Sequence, residues 1–182
     1  MAIDRALSST GWFWLREFPG WEKIPSGDIR IRKLETLVEQ VLDPTRERWG
    51  PLDISSWTYW SDGTARTGAH ADGGAADFVP RHADVPAVAY WMATALPTSS
   101  YGKIIDERDH IHVTRSGLQG ATGQYFIEPL DGEYVPGLRP GDRLSVPLAP
   151  SIFPGLALSF PAQGRWDGFY LPLWYWLYRT DK

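Results

Sequence analysis

The chain has 182 residues, 43% of them hydrophobic and 22% charged, with 18 Lys plus Arg against 22 Asp plus Glu for a formal net charge of -4. That length supports one domain with a sizeable core and falls short of two ordinary ones, while the absence of basic runs argues against nucleic acid as a partner and no apolar run reaches the roughly 20 residues of a membrane-inserted helix. With no cysteine, disulfides are excluded and any metal must be held by His and carboxylate side chains.

Met1 to Leu15 carries Asp4 and Arg5 and lacks the apolar stretch of a secretory signal, so the chain is expected to be made in a cytoplasm without a signal peptide. Gly11 to Trp21 (GWFWLREFPGW) is aromatic and broken by Pro19 and Gly20. It reads as core packing in preference to a lid.

From Ser26 onward Ile31, Leu34, Leu37, Val38, Val41 and Leu42 recur at spacings of three and four, which predicts a helix with one apolar face. Ser26 or Asp28 is placed to cap it, and Pro44 is expected to end it. Leu52 to Trp60 (LDISSWTYW) reads as a strand, and Ser61-Asp62-Gly63 as a turn.

Asp84, Pro86 and the apolar positions Val85, Val88, Ala89, Trp91, Met92, Ala95 and Leu96 predict a second helix, capped by Asp84 and closed by Pro97. Lys103 to Ile105 and His110 to Thr114 read as two strands around a charged turn. The expected fold is α+β, a small and mostly antiparallel sheet flanked by helices, with a first domain over residues 1–117.

Residues 118–182 are richer in Pro, Gly and short apolar runs (Tyr125-Phe126-Ile127, Leu144 to Leu148, Leu156 to Phe160, Phe169 to Tyr178), which predicts a β-rich carboxy-terminal extension, placed for docking or for contact with a substrate.

Three of the four His fall in two tight clusters. In the first, His70 and Asp77 are separated almost entirely by Gly and Ala, so the backbone is free to fold back and bring both to one ion, at about 2.0 to 2.2 Å. In the second, Asp109-His110-Ile111-His112-Val113, strand alternation turns both imidazoles to one face, about 6.6 Å apart, and buries Ile111 and Val113 on the other. One imidazole then binds the ion, while its neighbour lies in the outer shell or contacts substrate. Three protein ligands with an open fourth position make a catalytic zinc site, although manganese, cobalt and iron suit the same donors. Asp109 or Glu107 is placed to take the proton from water. His82 reads as a solvated loop residue.

These residues resemble the zinc peptidases of the M15 family, the D-Ala-D-Ala carboxypeptidase and L-alanyl-D-glutamate endopeptidase group that shares its fold with the Hedgehog signalling domain. His70, Gly73, Ala75 and Asp77 match the signature S-x-H-x-x-G-x-A-x-D, with Gly68 where Ser is usual. His110-Ile111-His112 matches the H-x-H that follows an acidic residue. The likeness covers about residues 10–117 and includes the helix Val41 to Glu47 leading into Trp49-Gly50-Pro51. The following strand, Ser55 to Trp60, lacks the Arg with which members commonly hold a substrate carboxylate. Arg66 is the candidate replacement, with Tyr59 as a second substrate contact.

The resemblance implies a Hedgehog/DD-peptidase-like fold and Zn2+ held by His70, Asp77 and His112. It implies His110 as a supporting or substrate-contacting residue, and Asp109 as the base with Glu107 the runner-up. It further implies hydrolysis of a peptide bond in peptidoglycan stem peptides, by a phage endolysin after lysis or by an enzyme carried in a virion or injection particle, whose other proteins would meet residues 118–182. Two alternatives keep the metal site: a structural tail or baseplate component, and a module that recognises cell-wall peptide without cutting it.

Overall fold

A computed structural model describes residues 2–128 and 134–137. Its framework is a six-stranded mixed sheet. The strands are β1 (Leu52–Ser56), β2 (Ala75–Pro80), β3 (Tyr101–Asp106), β4 (Ile111–Arg115), β5 (Gln124–Ile127) and β6 (Val135–Pro136), in the spatial order β1-β2-β4-β3-β5-β6. Every neighbouring pair is antiparallel except β3 and β5, which run parallel. The sheet therefore continues past Gly117, where the first domain was expected to end: β5 pairs with β3 residue by residue from Lys103 with Gln124 to Asp106 with Ile127. The apolar runs after residue 140 lie outside the described residues.

The helical layer begins with α1 (Ile29–Leu37), continues through a wide turn at Val38–Leu42 and runs on as α2 (Asp43–Trp49). Asp28 caps it, accepting the Arg30 N–H at 2.9 Å. Pro44 does not end it, contrary to the sequence expectation. A proline inside a helix removes one N–H and drives its ring toward the carbonyl four residues back. Here a π-helical turn spreads the backbone immediately before the ring, the Asp43 N–H reaches back to the Val38 carbonyl, and the Thr45 hydroxyl donates to the Val41 carbonyl at 2.6 Å. The predicted apolar stripe is buried along its whole length, with Leu34, Leu37, Val38, Val41 and Leu42 at zero exposure.

Helix α4 (Val85–Ala95) follows the predicted pattern, with Pro86 in its first turn. Asp84 occupies the N-cap position but makes no side-chain capping bond; its carbonyl accepts the Val88 N–H at 3.1 Å. Among the described residues no helix is long and apolar enough to cross a membrane.

Strand register sorts the side chains onto two faces. Ala76, Phe78, Ile104, Ile111 and Val113 share the face that joins the helices in one apolar cluster with Phe13, Leu15 and Phe18. The aromatic amino-terminal segment thus belongs to the core, as read from sequence, while its Trp12 and Trp14 stay partly exposed. Each large side chain fully buried in this cluster stabilises the fold by about 1.5–3 kcal/mol.

Asp106 is the exception on the core side, paired in register with Ile111 and Ile127. It is 4% exposed, and burial pushes its carboxyl up from the ordinary value against the Arg108 N–H bonded to Oδ1 at 3.0 Å. A raised folded-state pKa means that the stability carried by the protonated form is fully present below the unfolded value of about 3.9 and lost as pH rises through the folded one. Asp106→Asn keeps the acceptor and removes the buried charge. It is expected to melt above wild type near pH 7, with the difference shrinking toward pH 3; thermal melts across that range check it.

Candidate metal centre

The face opposite the core carries a transverse row of side chains, one from each of five strands: Ser56, Asp77, His112, Ile105 and Phe126 are successive register partners across β1, β2, β4, β3 and β5. Strand pairing alone therefore brings Asp77 and His112 together, across 35 residues of sequence. His70 arrives from the short helix α3 (Gly68–Ala71), which packs on β2. The Gly and Ala residues between His70 and Asp77 allow the reversal: Gly73 has φ +78, and an added Cβ there would lie 2.4 Å from the Arg30 Cβ and 2.8 Å from its Cα. A second tie between this loop and α1 is the ion pair of Lys33 with Asp72. Gly73→Ala meets both backbone strain and overlap with α1, and is expected to cost about 2–4 kcal/mol, measured by denaturant unfolding.

Three ligand atoms converge. His112 Nδ1 lies 2.8 Å from Asp77 Oδ1, His70 Nε2 lies 3.3 Å from the same oxygen, and the two ring nitrogens are 3.1 Å apart. Donor atoms bound tetrahedrally to one ion at 2.0–2.2 Å stand about 3.4 Å from each other, so the triangle needs only slight expansion to fit a zinc-sized cation. Two imidazoles and a carboxylate are also the donor chemistry of such a site.

The surroundings orient each donor. His70 Nδ1 lies 2.8 Å from the Trp57 carbonyl, which only accepts, so that nitrogen carries a proton and Nε2 is the atom left to face the cluster. Trp57 is fully buried and anchored by its indole N–H to the Gly73 carbonyl at 3.0 Å. Burial pushes the Asp77 carboxyl up, but hydrogen bonds with His112 and His70, and their charge, outweigh it and hold the group well below the usual carboxylate range. Asp77 is a carboxylate across the physiological range, the form a cation requires.

A second group sits on the turn between β3 and β4. Glu107 Oε2 pairs with His110 Nε2 at 2.8 Å, and Tyr134 donates its hydroxyl to Glu107 Oε1 at 3.0 Å. His110 Nδ1 meets Asp109 Oδ1 at 2.6 Å. The Glu107 hydrogen bond, with help from Asp109 and against burial, raises His110 to about 9, so it is an imidazolium at neutral pH. Burial pushes Glu107 up; the bonds from His110 and Tyr134 and the charge of His112 bring it below its ordinary value. Glu107 has 18% of its side chain exposed and Asp109 86%.

Of the residues singled out from sequence, His70, Asp77 and His112 come together, and Ile111 and Val113 are buried as alternation requires. Arg66 reaches the same cluster, but it does so by pairing with Asp77 Oδ2 at 3.1 Å. Tyr59 packs on Gly20, with the Lys23 ammonium 4.3 Å from the centre of its ring. His82 is exposed. Sequence reasoning missed Ser56, Trp57 and Tyr134. Ser56 stands opposite Asp77 across an irregular stretch of β1, and Trp57 contributes a backbone carbonyl, which no residue pattern announces. No family model, no curated protein and no solved structure matches this chain.

Proposed function

We propose that this protein is a zinc-dependent peptidase of the Hedgehog/DD-peptidase type that hydrolyses a peptide bond in the stem peptides of bacterial peptidoglycan. The observation that carries this reading is the convergence of His70 Nε2, Asp77 Oδ1 and His112 Nδ1 within 2.8–3.3 Å of one another, on residues that resemble both signatures of the M15 peptidases. His70, Asp77 and His112 would hold the zinc ion, which would supply Lewis acidity toward the scissile carbonyl and the attacking water.

The chain's own groups divide the remaining work. Glu107, less exposed than Asp109 and close enough to sense the charge of His112, accepts the proton of the attacking water. His110, held as a cation between Glu107 and Asp109, stabilises negative charge as it develops on the carbonyl oxygen, and the proton that Glu107 has taken from water passes to the leaving amine. Asp109 positions His110. Delivery by a phage, either as an endolysin or on a virion or injection particle, belongs to the same reading.

The test is to incubate purified sacculi with zinc-loaded protein and measure newly released amino groups. Release that stops on chelation and returns with zinc supports the peptidase. Stoichiometric zinc with no release favours a scaffold or a non-cutting recognition module, and absence of zinc binding removes the basis of all three.

A further inference from the structure

Asp77 carries two oxygens, and the one turned away from the imidazoles is fully engaged. Its Oδ2 accepts the Ser56 hydroxyl at 2.6 Å and pairs with Arg66 Nη2 at 3.1 Å, on a side chain that is 1% exposed. Arg66 is itself fixed. Its guanidinium lies 3.6 Å from the centre of the Trp60 ring, and its backbone N–H donates to the Thr58 carbonyl at 3.0 Å. The segment that presents it is closed by backbone bridges between Ser56 and Trp60 and between Tyr59 and Ala65.

The consequence is one of counting. With two imidazoles, a carboxylate that binds through both oxygens supplies four donors, and an ion that also holds water is then five-coordinate. A carboxylate that binds through a single oxygen brings the donors to three and leaves a place for water or substrate, which is what separates a catalytic zinc site from a closed structural one. Two donors on Oδ2, one neutral and one charged, make its release to an ion costly, because the buried hydroxyl and guanidinium would lose their acceptor.

We propose that Ser56 and Arg66 are positioning residues that restrict Asp77 to ligation through Oδ1 and thereby hold the ion to four-coordination, three protein donors with one place for water or substrate. This rests on the metal reading above and assigns to Arg66 a task on the ligand, where the sequence pointed to one on the substrate. Trp60 contributes by holding the guanidinium plane in place.

Cobalt(II) is the probe that reads this out, since its visible d–d absorption is strong in four-coordinate sites and weak in five- or six-coordinate ones. Full-length wild-type protein loaded with cobalt is expected to give the strong spectrum. Ser56→Ala and Arg66→Gln are expected to lose half or more of that intensity, and Ser56→Thr and Arg66→Lys, which keep the hydroxyl and the charge, to recover most of it. In parallel, Ser56→Ala is expected to bind zinc roughly 10- to 100-fold more weakly in chelator competition. For Arg66→Gln the lost positioning and the removal of a nearby positive charge act on affinity in opposite directions, so the spectrum decides.

Should Arg66→Gln fail to fold, Trp60→Ala removes the stacking without the charge and is expected to give an intermediate loss. Full intensity in both Ser56→Ala and whichever of the other two is measured overturns the proposal while leaving the metal site standing. Wild-type protein that binds neither cobalt nor zinc overturns the metal reading and this inference with it.

Discussion

Asp77→Ala and His112→Ala are each expected to abolish tight zinc binding and all hydrolysis of sacculi, and the two variants are expected to differ in stability. Dividing the roughly 10–16 kcal/mol of a four-ligand structural zinc site among its donors gives about 3–4 kcal/mol per ligand, or ~10²–10³-fold in affinity. A site with three protein donors has no reserve to absorb that loss. Stability separates the two because the residues have different neighbours. Removing Asp77 strands Arg66, 16% exposed, and the buried Ser56 hydroxyl, which were bound to Oδ2. Breaking such a pair from one side costs about 3–5 kcal/mol. Removing His112 leaves Asp77 its Ser56 and Arg66 partners, so the metal-free variant is expected to melt closer to wild type. Zinc stabilises any protein whose folded form alone binds it, by an amount that grows with the ratio of free zinc to Kd. The wild-type melting temperature should therefore rise with added zinc and that of both variants should stay flat. A parallel rise in His112→Ala would show that the ion binds elsewhere and would sink the assignment.

The cluster of His70, Asp77 and His112 was legible in part from local rules, the choice of His112 over His110 coming from the resemblance. Small residues between His70 and Asp77 permit a tight reversal, and the alternation from Ile111 to Val113 fixes which face His112 occupies. The apolar periodicity of residues 31–42 and 85–96 found both long helices for the same reason. What could not be read depends on partners remote in sequence. Pro44 stands inside a helix because a π turn and the Thr45 hydroxyl accommodate it, a tertiary solution that a rule about isolated helices does not contain. The parallel pairing of β5 with β3 spans an intervening β4, and no turn signal marks it. For that reason the composition change near Gly117 looked like a domain edge although the sheet crosses it. The support of the metal centre was hidden similarly: Ser56 and Arg66 meet Asp77 only once β1 has registered against β2 with an irregularity between Ile54 and Ser56.

Substitution at the turn between β3 and β4 is expected to distinguish two carboxylates between which the residue pattern alone did not choose and which the resemblance ranked with Asp109 ahead of Glu107. Glu107→Gln should lower kcat on sacculi by about 10²–10⁴-fold, the range for loss of a general base, while zinc affinity changes by less than tenfold because Glu107 donates nothing to the ion. Asp109→Asn should lower kcat by less than tenfold. Glu107 is drawn in by hydrogen bonds to both its oxygens, from His110 at 2.8 Å and Tyr134 at 3.0 Å, and retains lone pairs for a water proton. Asp109, with 86% of its side chain exposed, touches the site only through His110, 2.6 Å away. Losing it removes one of two anions that keep His110 charged, and the Glu107 bond, the larger influence, remains. Tyr134→Phe supplies a graded control: it frees one Glu107 oxygen without touching the carboxylate, so its effect on kcat should fall between those of the other two. If Asp109→Asn instead proves the more damaging change, with zinc content and folding preserved in both proteins, the proton acceptor is Asp109 and Glu107 serves to orient His110.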